Sequence, residues 1–335
     1  MLKRAPSIST ICGLALAGLL STATAARAQT ELKVATLAPE GSSWMKLFHE
    51  WGINIEKRTN GQVKVKFYAG GVAGDERDVV RKMRLGQIGG AAVTGVGLGL
   101  IQPEVRVLDI PFFFKGYEDL DYVRNTLDGE FRKKFEEKGY ILLGWGDVGP
   151  VHLFTNVPIK TKDELRATKM WSWTDDPIIR TLFSQLGING VPLGVPDVLP
   201  SLQTGLINAC YGSPLSTLSL QWHSKAKYIT SMVLGQSAGA TVVTKKFWDS
   251  LSPAQQSIVT EESKKLTDKL LKQVRADNEA ALKKMQSLGL QVVSTPEATV
   301  SEFRQQAQAL RTKLDGQLWT KEWRARVEQV LAGKK

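Results

Sequence analysis

From residue 31 onward the chain alternates between two hydrophobic periods. Residues 32–37 place Leu, Val and Thr at every second position, as a half-buried strand does, and Pro39-Glu40-Gly41-Ser42-Ser43 then breaks the strand and offers a helix cap. Trp44, Phe48, Trp51 and Ile55 follow at helical spacing, which predicts a helix as far as Arg58, where Asn60-Gly61 turns the chain. Residues 63–68 read as a second strand, 75–85 as a helix and 89–94 as a buried strand. Strands alternating with helices predict an α/β fold, a parallel sheet with helices on its faces.

Further along, 141–145 reads as a strand running into Gly146-Asp147-Val148-Gly149-Pro150, a crossing toward a second domain. That domain's strands are expected at 151–155, 168–173, 208–211 and 233–235, with 241–244 returning. After Ser252-Pro253 the pattern is helical, with Leu266, Leu270 and Val274 four apart and few helix breakers before residue 287. Its polar face holds acids as well as lysines, as a helix packed across both domains would have. A length of 335 residues also exceeds what one core organises. The expected lobes are 29–150 with about 245–335, and 151–244.

The first residues are of another kind. Lys3 and Arg4 precede an apolar stretch over 11–20 and small residues ending Ala26-Arg27-Ala28, the layout of a secretory signal peptide over 1–28, cleaved after Ala28. The uncharged run is shorter than the ~20 residues of a spanning helix. Export from the cytoplasm is therefore expected. Cys12 falls inside the leader, so Cys210 is left as the lone cysteine of residues 29–335 and no disulfide forms within them. His49, His152 and His223 show no ligand spacing, so no metal is expected.

The formal charge is +11, and the leader supplies Lys3, Arg4 and Arg27 with no acid, which leaves 11 less 3, or +8, for the rest. The lysines are spread along helical stretches rather than gathered in a block, which argues against a nucleic acid partner. Enzyme motifs are missing as well: there is no G-x-S-x-G, no H-E-x-x-H and no phosphate-binding glycine loop with lysine. Asp175-Asp176 stands just before Pro177, where helix capping accounts for it. Neither an enzyme nor a cofactor is expected.

Three segments carry a family resemblance: DELRATKMWSWTDDP from Asp163, LGINGVPL from Leu186 and SLQTGLINACYGSP from Ser201, with a P-F-F-F run at 111–114. Together they resemble the DctP family of periplasmic solute-binding proteins, which serve TRAP (tripartite, ATP-independent) transporters. The resemblance implies a two-lobed periplasmic binding protein fold, type II-like, with hinge-crossing strands and long C-terminal helices. It also implies a small-molecule solute and TRAP membrane permease subunits as partners; the family includes monomers and homodimers. A partner role beside a sensor kinase would leave the same sequence.

In that family the first segment ends in an arginine that pairs with a solute carboxylate; here Trp171 stands at its place. Asn208-Ala209 likewise replaces the usual Asp-Gly, and Gly212-Ser213-Pro214 a usual asparagine. Ligands in such folds lie beyond the carboxyl ends of strands. That rule selects Glu40, Trp44, Thr94, Trp145 and Asp147 from the first lobe, and Trp171, Trp173, Tyr211 and Ser213 from the second. An indole in place of a guanidinium offers one donor and a flat apolar face, so an aromatic, apolar or amine-bearing solute is expected rather than an arginine-paired carboxylate. An organic acid held by a different basic group is the alternative. For the 111–114 run an aromatic plug is expected over a cleft wall.

Overall fold

The computed structural model of the chain describes residues 29–334, so the expected leader, 1–28, lies outside the described residues. β1 (Thr30–Thr36), α1 (Ser43–Arg58), β2 (Val63–Tyr68), α2 (Glu76–Arg84), β3 (Gly90–Thr94) and α3 (Gly95–Ile101) follow in the anticipated alternation. β1 pairs in parallel with β2 on one side and β3 on the other. α1 begins where the Ser42 side chain accepts the Met45 N–H, and its helical stripe of Met45, Phe48, Trp51 and Ile55 is buried.

A 3-10 segment, Pro103–Asp109, leads into α4 (Tyr117–Thr126), α5 (Asp128–Glu137) and β4 (Tyr140–Thr155). The second half runs α6 (Lys162–Arg166), β5 (Met170–Trp173), α7 (Pro177–Leu186), β6 (Gly190–Leu193), α8 (Val195–Thr204), β7 (Ala209–Gly212), α9 (Pro214–Ser219), β8 (Tyr228–Thr230) and β9 (Gly235–Thr244). α10 (Lys245–Asp249), α11 (Pro253–Ser287), β10 (Gln291–Val293), α12 (Glu297–Lys313) and α13 (Lys321–Ala332) complete the chain.

The strands stand in the order β2-β1-β3-β9-β4-β7-β5-β6. β4 and β9 join the two halves. As far as Val151, β4 pairs antiparallel with β9, and from His152 on it pairs with β7. The expected strand, crossing and strand over 141–155 are therefore one strand of 16 residues. Register shifts at Leu142/Gly144 and Asp147/Gly149 bend it, and Gly149 sits at φ +125, open to glycine and strained for other residues. The strand expected at 233–235 is not a separate element: β8 lies upstream, and β9 starts at Gly235 and takes in the anticipated return.

α11 packs on α1 and β4 and reaches α9 in the second lobe. The Trp51 indole donates to Ser263 at 3.1 Å and Arg58 to Glu262 at 2.8 Å, which fixes its first half to the first lobe. Asn278 donates to the Val148 carbonyl at 3.0 Å and accepts the Leu215 N–H at 3.0 Å, which fixes its second half to the hinge strand and to α9. The expected assignment of 245–335 to the first lobe needs correction. β10 pairs with β8 and α12 packs on α7, both in the second lobe, whereas α13 returns to α4 and the 3-10 segment of the first. A short edge strand and an apolar helix face, left open in the second lobe, take up that segment.

Candidate functional site: a cavity between the lobes

The carboxyl ends of β1, β3 and β5 and the bend of β4 converge on a cavity of about 200 Å³ between the lobes. Of the nine residues expected there, Trp44, Thr94, Asp147, Trp171, Trp173, Tyr211 and Ser213 line its wall. Glu40 and Trp145 do not. Leu37, Ala38 and Pro39 follow β1 across the wall, and Glu40 lies beyond them on the surface, its carboxylate 3.0 Å from His49 Nε2. Trp145 is buried on the other face of β4, because neighbouring residues of a strand point to opposite sides and Gly146 takes the cavity side. Its indole donates to Asp128 at 2.7 Å and meets Phe131 edge-on.

Asp147 also departs from its expected role. Its side chain is fully buried and accepts from Arg124 at 2.9 Å and from Arg275 at 2.8 Å, with Asp121 closing the network against both arginines. Only its backbone meets the wall, where the carbonyl accepts the Trp44 indole N–H at 3.3 Å. A carboxylate between two guanidinium groups anchors the hinge strand and is not free to take a solute proton or amine.

The second lobe supplies an aromatic stack. Trp171 lies on Tyr211 at 4.6 Å between ring centroids and 18° between planes, with Trp222 edge-on at 5.2 Å and Trp173 tilted at 6.0 Å. The polar ends of these rings are engaged inside the protein: Trp171 donates to the Leu193 carbonyl at 3.0 Å and the Tyr211 hydroxyl accepts the Trp173 N–H at 3.1 Å. Ser213, fully buried, caps α9 by accepting the Ser216 N–H. Lys169, two residues before Trp171, is exposed and donates to the Gly205 carbonyl at 3.2 Å.

Four charged residues that sequence reasoning had not assigned to the site complete it. Glu76, wholly buried at the start of α2, accepts from the Thr94 N–H and hydroxyl at 2.7 and 2.9 Å and from the Gly97 N–H at 2.5 Å. Burial raises its carboxyl to about 7, against the opposing pull of these donors. Arg106, buried on the 3-10 segment, reaches across to Asp176 of the second lobe at 2.9 Å and lies 3.0 Å from Asp109. Burial likewise raises Asp109 to about 6, although Arg106 lowers it. Asp176 caps α7 as expected, accepting from Ile178 and Ile179, and carries this second role besides. The signal was present in the sequence: Arg106 interrupts the run Val105-Arg106-Val107-Leu108-Asp109-Ile110, and a buried arginine needs a carboxylate.

Among the described residues lining the cavity, Arg106 is the one basic side chain, and it is already paired. The rest of the wall is mainly apolar, including Phe48, Val96, Ile179, Leu234 and Leu270. Pro111 reaches the wall while Phe113 and Phe114 are buried edge-on to each other beneath it.

The family model for DctP, bacterial extracellular solute-binding protein family 7, matches residues 34–316. A solute-binding protein of Chromohalobacter salexigens is 27% identical over 224 residues, or 64% of this chain and 65% of that protein. The C4-dicarboxylate-binding periplasmic protein DctP of Rhodobacter capsulatus is 26% identical over 236 residues, covering 70% and 71%. Among solved structures, a TRAP periplasmic solute-binding protein of Citrobacter koseri with bound D-glucuronate superposes with a TM-score of 0.83 at 21% identity, over 92% of this chain and 100% of that one. The ligands named for these last two proteins are carboxylates, unlike the solute expected from Trp171. The two-lobed fold and the extent of the match leave one assignment: the chain belongs to the DctP family of bacterial extracellular solute-binding proteins.

Proposed function

We propose that this TRAP-type solute-binding protein takes up a solute that is largely apolar or aromatic, closes its lobes around it and passes it to a membrane permease pair. The carrying observation is that every charged side chain on the cavity wall already has a partner inside the protein. Arg106 holds Asp109 and Asp176, Glu76 holds Thr94 and Gly97, and Asp147 holds Arg124 and Arg275. A solute carboxylate entering here would lose its water without finding a free cation, at a cost of several kcal/mol. Apolar surface, by contrast, gains roughly 25 cal/mol for each Å² removed from water. The leader over 1–28 and the family's extracytoplasmic relatives support a periplasmic location.

A second reading rests on Arg106 itself: the arginine lies on the wall, and an acid able to displace a protein carboxylate from it would use it as the alternative basic group. A thermal-shift screen of residues 29–335 separates the two. Neutral aromatic or aliphatic compounds at a hundred times their dissociation constant should add ~2.7 kcal/mol of stability. A shift with simple carboxylates alone would overturn the first reading in favour of the second.

A further inference from the structure

We propose that Asp176 is a built-in carboxylate: it occupies Arg106 from the opposite lobe, so that the lobes meet across a charge pair without an acid group on the solute. The inference rests on the apolar-solute reading and names the residue that sets it.

Arg106 belongs to the 3-10 segment of the first lobe, and Asp176 stands between β5 and α7 of the second. Arg106 Nη2 donates to Asp176 Oδ1 at 2.9 Å, and the two side chains are 3% and 7% exposed, so the pair is sealed from water on the cavity wall. A buried guanidinium needs a carboxylate, and Asp109, three residues along the same segment, already lies 3.0 Å from Arg106 Nε. The angle there makes no hydrogen bond, so Nε and Asp109 Oδ2 both lack a hydrogen-bond partner. Asp176 is thus a second carboxylate on one arginine, and it is the one that accepts a hydrogen bond from it.

Capping does not explain the choice of residue. Asp176 Oδ1 accepts the Ile178 and Ile179 N–H groups, a task that serine, threonine or asparagine performs equally well at a helix start. An acid at this position differs from those three in bringing a charge to Arg106. With both aspartates ionised, the cluster presents a net single negative charge, so an approaching carboxylate meets repulsion where an unpaired arginine would attract it.

The test removes the charge and offers acetate from solution. Asp176→Ser keeps a capping residue and opens carboxylate-sized room beside Arg106. Thermal unfolding of residues 29–335 is followed while acetate replaces chloride at constant ionic strength, for the wild type, D176S and the double variant D176S/R106Q. The expected result is a saturable rise in Tm of about 2 °C or more in D176S, absent from the wild type and lost in the double variant. No acetate-specific rise in D176S, or an equal rise in the wild type or in the double variant, would overturn the proposal. Should D176S fail to fold, Asp176→Gly, which is also tolerated at a helix start and leaves the same room beside Arg106, is titrated and read by the same criteria. No other solute is present, so a negative result leaves the apolar-solute reading to its own screen, and failure of that screen leaves this titration intact.

Discussion

The indole N–H of Trp173, in the second lobe, donates to the carboxylate of Asp75, in the first, at 2.8 Å. The same Asp75 oxygen accepts the Val195 N–H at 3.3 Å, and Arg77 pairs with Asp175 alongside. Trp173 was expected to present its ring to the solute. It does line the cavity, but its one donor joins the lobes.

Replacing Trp173 with Phe keeps the apolar face and removes that donor. A hydrogen bond to a charged acceptor contributes ~1.5–3 kcal/mol, so the closed arrangement should lose about tenfold or more in population relative to the open one. X-ray scattering should show a larger radius of gyration for W173F than for the wild type. An unchanged radius would mean that other contacts carry closure.

Glu76 gives the protein a pH dependence of defined sign. Its folded pKa, about 7, lies above the ordinary 4.5, so between these values the folded state holds a proton that the unfolded state has released. Its contribution to stability is therefore full below about 4.5 and lost as pH rises through about 7, with an upper bound of ~3.5 kcal/mol at ~1.4 kcal/mol per unit. Asp109, raised to about 6, acts in the same direction. Urea unfolding at pH 5 and pH 8 should show this decline in the wild type and a smaller one in Glu76→Gln. Equal declines would exclude Glu76 as the group responsible.

Asp147→Ala should damage the hinge rather than selectivity. It leaves Arg124 and Arg275 without their shared buried carboxylate, and breaking a buried pair in this way costs ~3–5 kcal/mol. Chemical denaturation measures the loss. A cost below ~1 kcal/mol would show that Asp121 alone satisfies both arginines.

Trp171→Ala should cost ~3–5 kcal/mol of stability, because the ring is 2% exposed and stacked on Tyr211. Trp44→Phe, on a half-buried residue with one long hydrogen bond to the Asp147 carbonyl, should cost about 1 kcal/mol. Comparable losses in the two variants would contradict the difference in packing between the buried Trp171 and the half-buried Trp44.

The alternation of strand and helix over 30–94 and the long helix after Ser252-Pro253 were legible because hydrophobic period and caps agree there. The place of Trp171 and Tyr211 on the cavity wall was legible because strand ends converge on clefts in such folds. Trp145 was misplaced for want of register: a shift of one residue sends a side chain to the other face, and the bulges of β4 cannot be read from a list of residue types. Arg106 and Asp109 were visible as charges within an apolar run, but the bond from Arg106 to Asp176 stayed hidden because it joins residues 70 apart across two lobes, and no local pattern encodes that meeting. Glu40 looked well placed by its position after β1, but the three residues that precede it carry the chain past the wall.

α11 is held by the first lobe through Ser263 and Glu262 and by the second through Asn278. A change of angle between the lobes would have to flex the helix between those anchors or break one of them, over a span of about 23 Å at 1.5 Å per residue. α11 is a brace laid across the joint. If the lobes close on a solute, its stiffness would oppose that movement, and substitutions far from the cavity, on the exposed face of residues 264–277, are then expected to change how long a solute stays inside.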